Sequence, residues 1–145
     1  MKKNCSCGQG MDITMRTIVH ARKIHIHHVP VYTCGSCQYS ELLPNVKDEV
    51  VFIMRRLVQK GMVEEQSVAF DHMHEVASVI KECLEYKEDD YLALFEKIST
   101  ERVNHLLDVY LVAKTCKDTD WMTDIERRLN QLAGFRVEDH QAKIS

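Results

Sequence analysis

The sequence predicts an α+β chain: a small β-hairpin closed by cysteines, followed by an all-α bundle of four to five helices. Three observations lead there. Four of the six cysteines fall in the first 37 residues, as Cys5-Ser6-Cys7 and Cys34-Gly35-Ser36-Cys37. Between these pairs, apolar residues recur with period two, the spacing of a half-buried strand. Beyond Pro44 the period lengthens to about 3.6 residues, the spacing of amphipathic helices.

Two close cysteine pairs flanking a short segment suit a tetrahedral metal site. Zinc takes four thiolates at about 2.3 Å, and a closed four-cysteine shell is structural rather than catalytic. The predicted ligands are Cys5, Cys7, Cys34 and Cys37, holding one structural Zn2+ in a zinc-ribbon or knuckle-like hairpin. Met1-Lys2-Lys3 is followed by Asn4-Cys5-Ser6-Cys7 instead of an apolar stretch, so no secretory signal is expected. A reducing cytoplasm follows, where such spacing favours metal over disulfide.

Met11, Ile13 and Met15 alternate with Asp12, Thr14 and Arg16 to form the first strand. Ile24 and Ile26 alternate with His25 and His27, and Val29 and Val31 continue the second. A turn around residues 20–23 brings Cys7 towards Cys34. Pro30, lacking an N–H, is expected at an edge or a strand end. About 40 residues cannot bury a sufficient core alone, so the metal is expected to drive folding of this head.

Asn45 is the candidate cap of a first helix that buries Val46, Val50, Ile53, Met54, Leu57 and Val58 and stops at Gly61. A second helix is expected from Ser67, with Phe70, Met73, Val76, Ala77, Ile80, Cys83 and Leu84 as its stripe. Asp89 or Asp90 opens a third, with Leu92, Phe95 and Ile98 inward. Thr100 is read as the cap of a fourth, carrying Val103, Leu106, Leu107, Tyr110 and Leu111. Asp118 or Thr119 opens a fifth, which Gly134 ends. The expected units are residues 1–43 (zinc-binding hairpin), 44–136 (helical domain) and 137–145 (a frayed polar tail).

The stretch from Cys5 to about Leu42 resembles the YgiT-type zinc finger, the N-terminal domain of MqsA-like antitoxins. Two cysteine pairs flank a hairpin, and the second follows the run Val29-Pro30-Val31-Tyr32-Thr33-Cys34-Gly35-Ser36-Cys37. The family's zinc ligands map onto Cys5, Cys7, Cys34 and Cys37. The first pair departs from the family's usual CxxC, so His20 or His28 stands as an alternative ligand should one sulfur not reach. The resemblance implies a bacterial protein. In such antitoxins the second domain is a helix-turn-helix that binds DNA.

Charge argues against that second domain. Residues 1–44 carry five Lys/Arg and two acidic residues, whereas the remainder carries 14 basic and 20 acidic. DNA rewards clustered Lys and Arg, and the region of the second helix is instead acidic. No run of about 18 uncharged apolar residues predicts a membrane span. No phosphate loop, nucleophile elbow or HExxH motif predicts an enzyme. The leading reading is a cytoplasmic, non-enzymatic regulatory or adaptor protein that binds another protein. The alternative is an MqsA-like antitoxin or transcriptional regulator that binds DNA. A third reading is a metal-dependent enzyme built on His72 and Glu75, which lie i,i+3 within Asp71-His72-Met73-His74-Glu75.

His25, His27 and His28 are read as the outward polar face of a strand. Cys83 and Cys116 lie on or near apolar stripes, where a buried thiol behaves as a small hydrophobe.

Overall fold

The computed structural model describes residues 4–61, 63–86, 90–135 and 143–144. It is an α+β fold in which an antiparallel hairpin sheet precedes four helices. Strand β1 (Met11–His20) pairs antiparallel with β2 (Ile24–Cys34), in register from Met11 opposite Cys34 to His20 opposite Ile24. Lys23 N–H donates to the His20 carbonyl at 3.1 Å, closing the turn over Ala21 and Arg22. Both turn residues have positive φ, 52° and 59°, which makes this a type I′ turn, matched to the right-handed twist of the strands.

Strict alternation breaks at His27-His28. The ladder shifts between Arg16 and Ile18, and His28 takes φ 59°, so the extra residue forms a β-bulge. The bulge returns Val29 and Val31 to burial after two successive polar residues. From Val29 to Cys34 every β2 residue is buried, so this half of the strand is covered on both faces.

Three further strands join the hairpin. The sequence reading foresaw none of them. β3 (Ser40–Leu42) pairs antiparallel with Val31–Thr33 of β2, and β4 (Gln66–Ala69) pairs parallel with Ile24–His27. Residues 28–30 fall in the gap between these two partners. Pro30 therefore sits in the middle of β2, not at a strand end, where the missing N–H costs no bond on that edge. β5 (Lys143–Ile144) pairs parallel with Asp12 and Ile13 of β1. The expected tail thus contributes a strand where it is described. Residues 136–142 and 145 lie outside the described residues.

Helix α1 (Pro44–Gln59) starts at Pro44, with Leu43 in the cap position, so Asn45 lies inside the first turn rather than capping it. Proline suits the first helical position because its missing N–H would have no partner there. Gly61, at φ 103°, ends the helix as expected. The second helix begins later than Ser67. Gln66–Ala69 is taken by β4, Phe70–His72 forms one 3₁₀ turn, and α2 runs Glu75–Leu84. The third and fourth expected helices are one, α3 (Tyr91–Thr115), capped by Asp90, whose Oδ1 accepts from Ala93 N–H at 3.1 Å. Thr100 lies inside it. No Gly or Pro interrupts residues 91–115. α4 (Thr119–Ala133) is capped by Asp118 and ends at Gly134.

The buried apolar side chains form one cluster, from Cys5, Ile13 and Ile26 in the sheet to Ile80, Leu106, Ile125 and Phe135 in and after the helices. A buried polar network ties the same elements. Glu75 Oε1 accepts from Arg128 Nε at 2.6 Å and its Oε2 from Arg102 Nη1 at 2.7 Å, joining α2 to α4 and α3. Asp71 accepts from Lys81 at 3.1 Å and pairs with His28 of the bulge at 2.9 Å. Burial pushes the Asp71 carboxyl up, but Lys81 and His28 outweigh it and hold it below the ordinary carboxylate range. His74 caps α2, its Nδ1 accepting from Val76 N–H at 3.1 Å. The other ring nitrogen then carries the proton and faces Glu49 Oε1 at 3.5 Å.

Two outcomes follow. Ala21 and Arg22 occupy the left-handed region at an expense of about 1–2 kcal/mol each. The change Ala21→Asn with Arg22→Gly should raise the urea midpoint by an amount worth about 1 kcal/mol or more. An unchanged or lower midpoint would count against the turn assignment. Second, burial lowers the His74 pKa to about 4, so the folded protein keeps this ring neutral while the unfolded chain protonates it below about pH 6.5. Its contribution is present above pH 6.5 and is lost as pH falls towards 4, at up to about 1.4 kcal/mol per pH unit. His74→Asn keeps a capping oxygen, and its urea stability should fall less than that of the parent between pH 7 and 5. Equal slopes would remove His74 from the acid response.

Candidate metal centre

The hairpin register builds the site. Met11 begins β1 opposite Cys34, which ends β2. The chain before β1 and the chain after β2 therefore leave the same end of the ladder side by side. Each makes a tight loop. Cys5 N–H donates to Gln9 O at 2.8 Å and Gly8 N–H to Cys5 O at 2.9 Å; Cys34 N–H donates to Tyr39 O at 2.8 Å and Gln38 N–H to Cys34 O at 3.0 Å. The residue after the second cysteine of each pair is left-handed, Gly8 at φ 93° and Gln38 at φ 65°. The CxC and CxxC loops, although unequal in length, thus close in equivalent ways.

All four Sγ atoms lie within 4.8 Å of one another. Two sulfur contacts cross between the loops, 3.4 Å for Cys5–Cys37 and 3.5 Å for Cys7–Cys34. A tetrahedral site with metal–sulfur bonds of about 2.3 Å has sulfurs about 3.8 Å apart. The four cysteines are therefore close together and could hold a metal ion. Cys5 and Cys34 are buried, and Cys7 and Cys37 are exposed.

Backbone amides complete the site. The N–H groups of Cys7, Gln9, Ser36 and Tyr39 bond to the sulfurs of Cys5, Cys7, Cys34 and Cys37, in each case from two residues downstream. Such bonds stabilise thiolate charge and orient ligands. The N–H of Cys37, with that of Ser36 and the Cys7 sulfur, draws the Cys34 thiol down to about 7. The N–H of Cys7 lowers Cys5 in the same way. Tyr39 N–H favours the Cys37 thiolate, yet the Cys5 and Cys34 sulfurs outweigh it and push this thiol up to about 12. Cys7 is raised likewise by Cys34 and Cys5, against Gln9 N–H. Four sulfurs this close resist ionising together, and a divalent cation removes that conflict.

The histidine alternatives lie elsewhere. His20 pairs with Ile24 at the turn end of the hairpin, nine residues or about 30 Å of strand from Met11. His28 is bonded to Asp71. His25 and His27 stack at 6.2 Å, half-buried, and His27 Nδ1 meets Thr17 Oγ1 at 3.1 Å. His72 and Glu75 do not converge. His72 is exposed, 3.6 Å from Asp71, whereas both Glu75 oxygens are taken by Arg102 and Arg128. Among the described residues the four cysteines are the one group arranged to take a metal. Cys83 is buried in the core, where burial and Glu82 push its thiol up to about 11, and Cys116 is exposed at the end of α3.

Sequence reasoning expects backbone N–H groups to point at sulfur in the turn at Gly35, and the sulfur of Cys34 does take the N–H groups of Ser36 and Cys37; it does not name Gln9 or Tyr39 as donors. Gly8 was the available signal in the first loop, since such a glycine marks a turn that aims N–H groups inward. It also missed Asp71 as the anchor of His28, a contact 43 residues apart in sequence that no local pattern encodes. No family model matches the chain, and no curated protein and no solved structure matches it.

Metal analysis of purified protein should return one bound metal ion per chain. Cys34→Ser with Cys37→Ser should abolish it, while His20→Ala and His28→Ala should retain it. Metal retained without Cys34 and Cys37, or lost with either histidine, would contradict the four-sulfur set.

Proposed function

We propose that the chain is a non-enzymatic regulatory or adaptor protein that binds another protein, its sheet end stapled by structural Zn2+ on Cys5, Cys7, Cys34 and Cys37. One observation carries the binding role. Leu107, Leu111 and Val112 lie within two turns of α3 and are 47%, 61% and 52% exposed. Apolar side chains grouped on an exposed helix face mark interaction surfaces more often than isolated ones do. A four-sulfur shell has no open position for a reacting ligand, which supports a structural rather than a catalytic metal. Free thiols throughout the described chain fit a reducing, cytoplasmic setting. Among the described residues, no helix is long and apolar enough to cross a membrane.

The hairpin and its paired cysteine loops support the resemblance to the YgiT-type zinc finger of bacterial MqsA-like antitoxins. A DNA-binding regulator is the second reading, favoured by one feature: α1 exposes Lys47, Arg55 and Arg56, with Lys60 at its C-cap. Apolar residues on the same helix face favour a protein partner over phosphate.

The test is affinity purification of the tagged chain from its native cell, compared with Leu107→Glu/Leu111→Glu. A specific partner recovered with the parent and reduced about tenfold or more with the variant is expected. Recovery of nucleic acid alone, with salt-sensitive affinity, would replace this reading by the second.

A further inference from the structure

A groove of about 630 Å³ is lined by Phe52, Ile53 and Arg56 of α1, His72 and Met73 of the turn before α2, and Arg127 of α4; Ile53 is buried and Met73 is 40% exposed. A neighbouring hollow of about 510 Å³ continues it, sharing Glu49 and Arg127. Phe52 is 60% exposed, an unusual state for a large aromatic ring lining a groove. Arg56 lies over the Phe52 ring, 5.8 Å from its centre. That arrangement holds the guanidinium at the rim and leaves its N–H fork free to meet a carboxylate.

Charge on this face runs opposite to that of the chain as a whole. The chain carries a net charge of −3. The solvent side of α1 nevertheless bears Lys47, Arg55 and Arg56, with Lys60 at its C-cap, against Asp48. Among the described residues none of these four cations has a carboxylate partner, whereas Glu75, Asp71 and Glu82 in α2 and the turn before it are paired. Arg127 adds a cation from the opposite wall, bonded at the surface to Asp124 at 2.7 Å. Glu126, which accepts from Tyr110 Oη at 3.0 Å, lines the neighbouring hollow, and Glu49 is the acidic group that lines the groove itself. It is held by Gln131 Nε2 at 3.2 and 3.1 Å to its two oxygens and faces His74, so it belongs to the wall. Val51 and Val58 are also exposed on α1.

We propose that this groove is the docking site for an acidic peptide segment of a partner protein, with one large apolar side chain seated on Ile53 and Met73 beside Phe52. Its carboxylates would meet Arg56 and Arg127 at the two rims. An apolar anchor in a pocket with a charged rim is the arrangement in which interfaces concentrate affinity, the rim setting on-rate and choice of partner. Nucleic acid would use the cations but leave Phe52 and Met73 without a role. The proposal rests on the protein-binding reading above and assigns it a second surface, distinct from the outer face of α3.

The test pans a display library of random 12-residue peptides against the full-length, zinc-loaded chain, then measures the enriched peptides by fluorescence anisotropy. Enriched sequences should combine several Asp or Glu with one aromatic or large aliphatic residue. Phe52→Ala and Arg56→Glu should each weaken binding about tenfold or more, and raised salt should weaken it further. Val19→Ser, at an exposed position on β1 outside both surfaces, should leave it unchanged. Zinc content and circular dichroism of each variant exclude unfolding as the cause. Enriched peptides without acidic residues, or binding insensitive to both groove variants, would overturn the proposal. If the selected peptides respond to Leu111→Glu instead, protein binding stands and the groove assignment fails. If no peptide is enriched and a labelled 20-base-pair duplex binds in a manner lost with Arg56→Glu, the groove is a nucleic-acid surface and both fail.

Discussion

Met11 lies opposite Cys34 in the β1–β2 ladder, and most of the molecule follows from that register. It places the chain entering β1 beside the chain leaving β2, so two loops with different cysteine spacings meet sulfur to sulfur. It also sets which β2 residues face each way. A slip of one residue would turn Ile24 and Ile26 out to solvent and separate the two cysteine loops. The I′ turn at Ala21-Arg22 and the bulge at His28 hold the register at both ends of the strand's polar stretch. They do so with non-glycine residues in the left-handed region, so the tertiary contacts override a local preference. The bulge has a second consequence, because His28 reaches Asp71 and ties the sheet to the turn before α2.

Glu75 has the corresponding place among the helices. Its carboxylate is buried and shared by Arg102 and Arg128, and its backbone N–H donates to Gln131 at 2.9 Å. Burying this charge without partners would cost several kcal/mol. The helices must therefore pack with α3 and α4 at the positions that deliver both guanidinium groups. Apolar burial is non-directional, and such a network favours one arrangement of the helices over others of similar apolar content. The residue that looked from sequence like half of an enzymatic pair is instead a packing determinant.

Surface charge is sorted as distinctly as the interior. Carboxylates of α2 and the turn before it are neutralised by neighbours, whereas the cations of α1 stand without partners among the described residues. A sheet end closed by four clustered cysteines, an ion-paired centre and an unneutralised outer helix divide the surface and the interior between them. The first two tie the framework together, and the last leaves positive electrostatic potential at the surface. The even acid–base mixture along the sequence of α1 hides this, because acidic Glu49 turns to the wall while Arg55 and Arg56 stay in solvent.

The sequence by itself determined the elements whose cause is local. The cysteine pairs, the turn at residues 20–23, the caps Asp90 and Asp118 and the stops at Gly61 and Gly134 are each set by chemistry within a few residues. Only the tertiary structure decided the rest. Gln66–Ala69 is too short to carry a period, and it becomes a strand because Ile24–His27 presents an open edge. Thr100 has a capping side chain, but Phe95, Ile98, Leu106 and Ala113 line one stripe against a common core, so α3 runs through it. β3 and β5 are three and two residues long and exist only as partners of the hairpin. The four thiols were legible as one candidate group from their spacing, but their closure within 4.8 Å depends on a strand register that no cysteine specifies. Local conformation is chosen by energies of about 1 kcal/mol per residue, and long-range pairing and burial outweigh them wherever the two disagree.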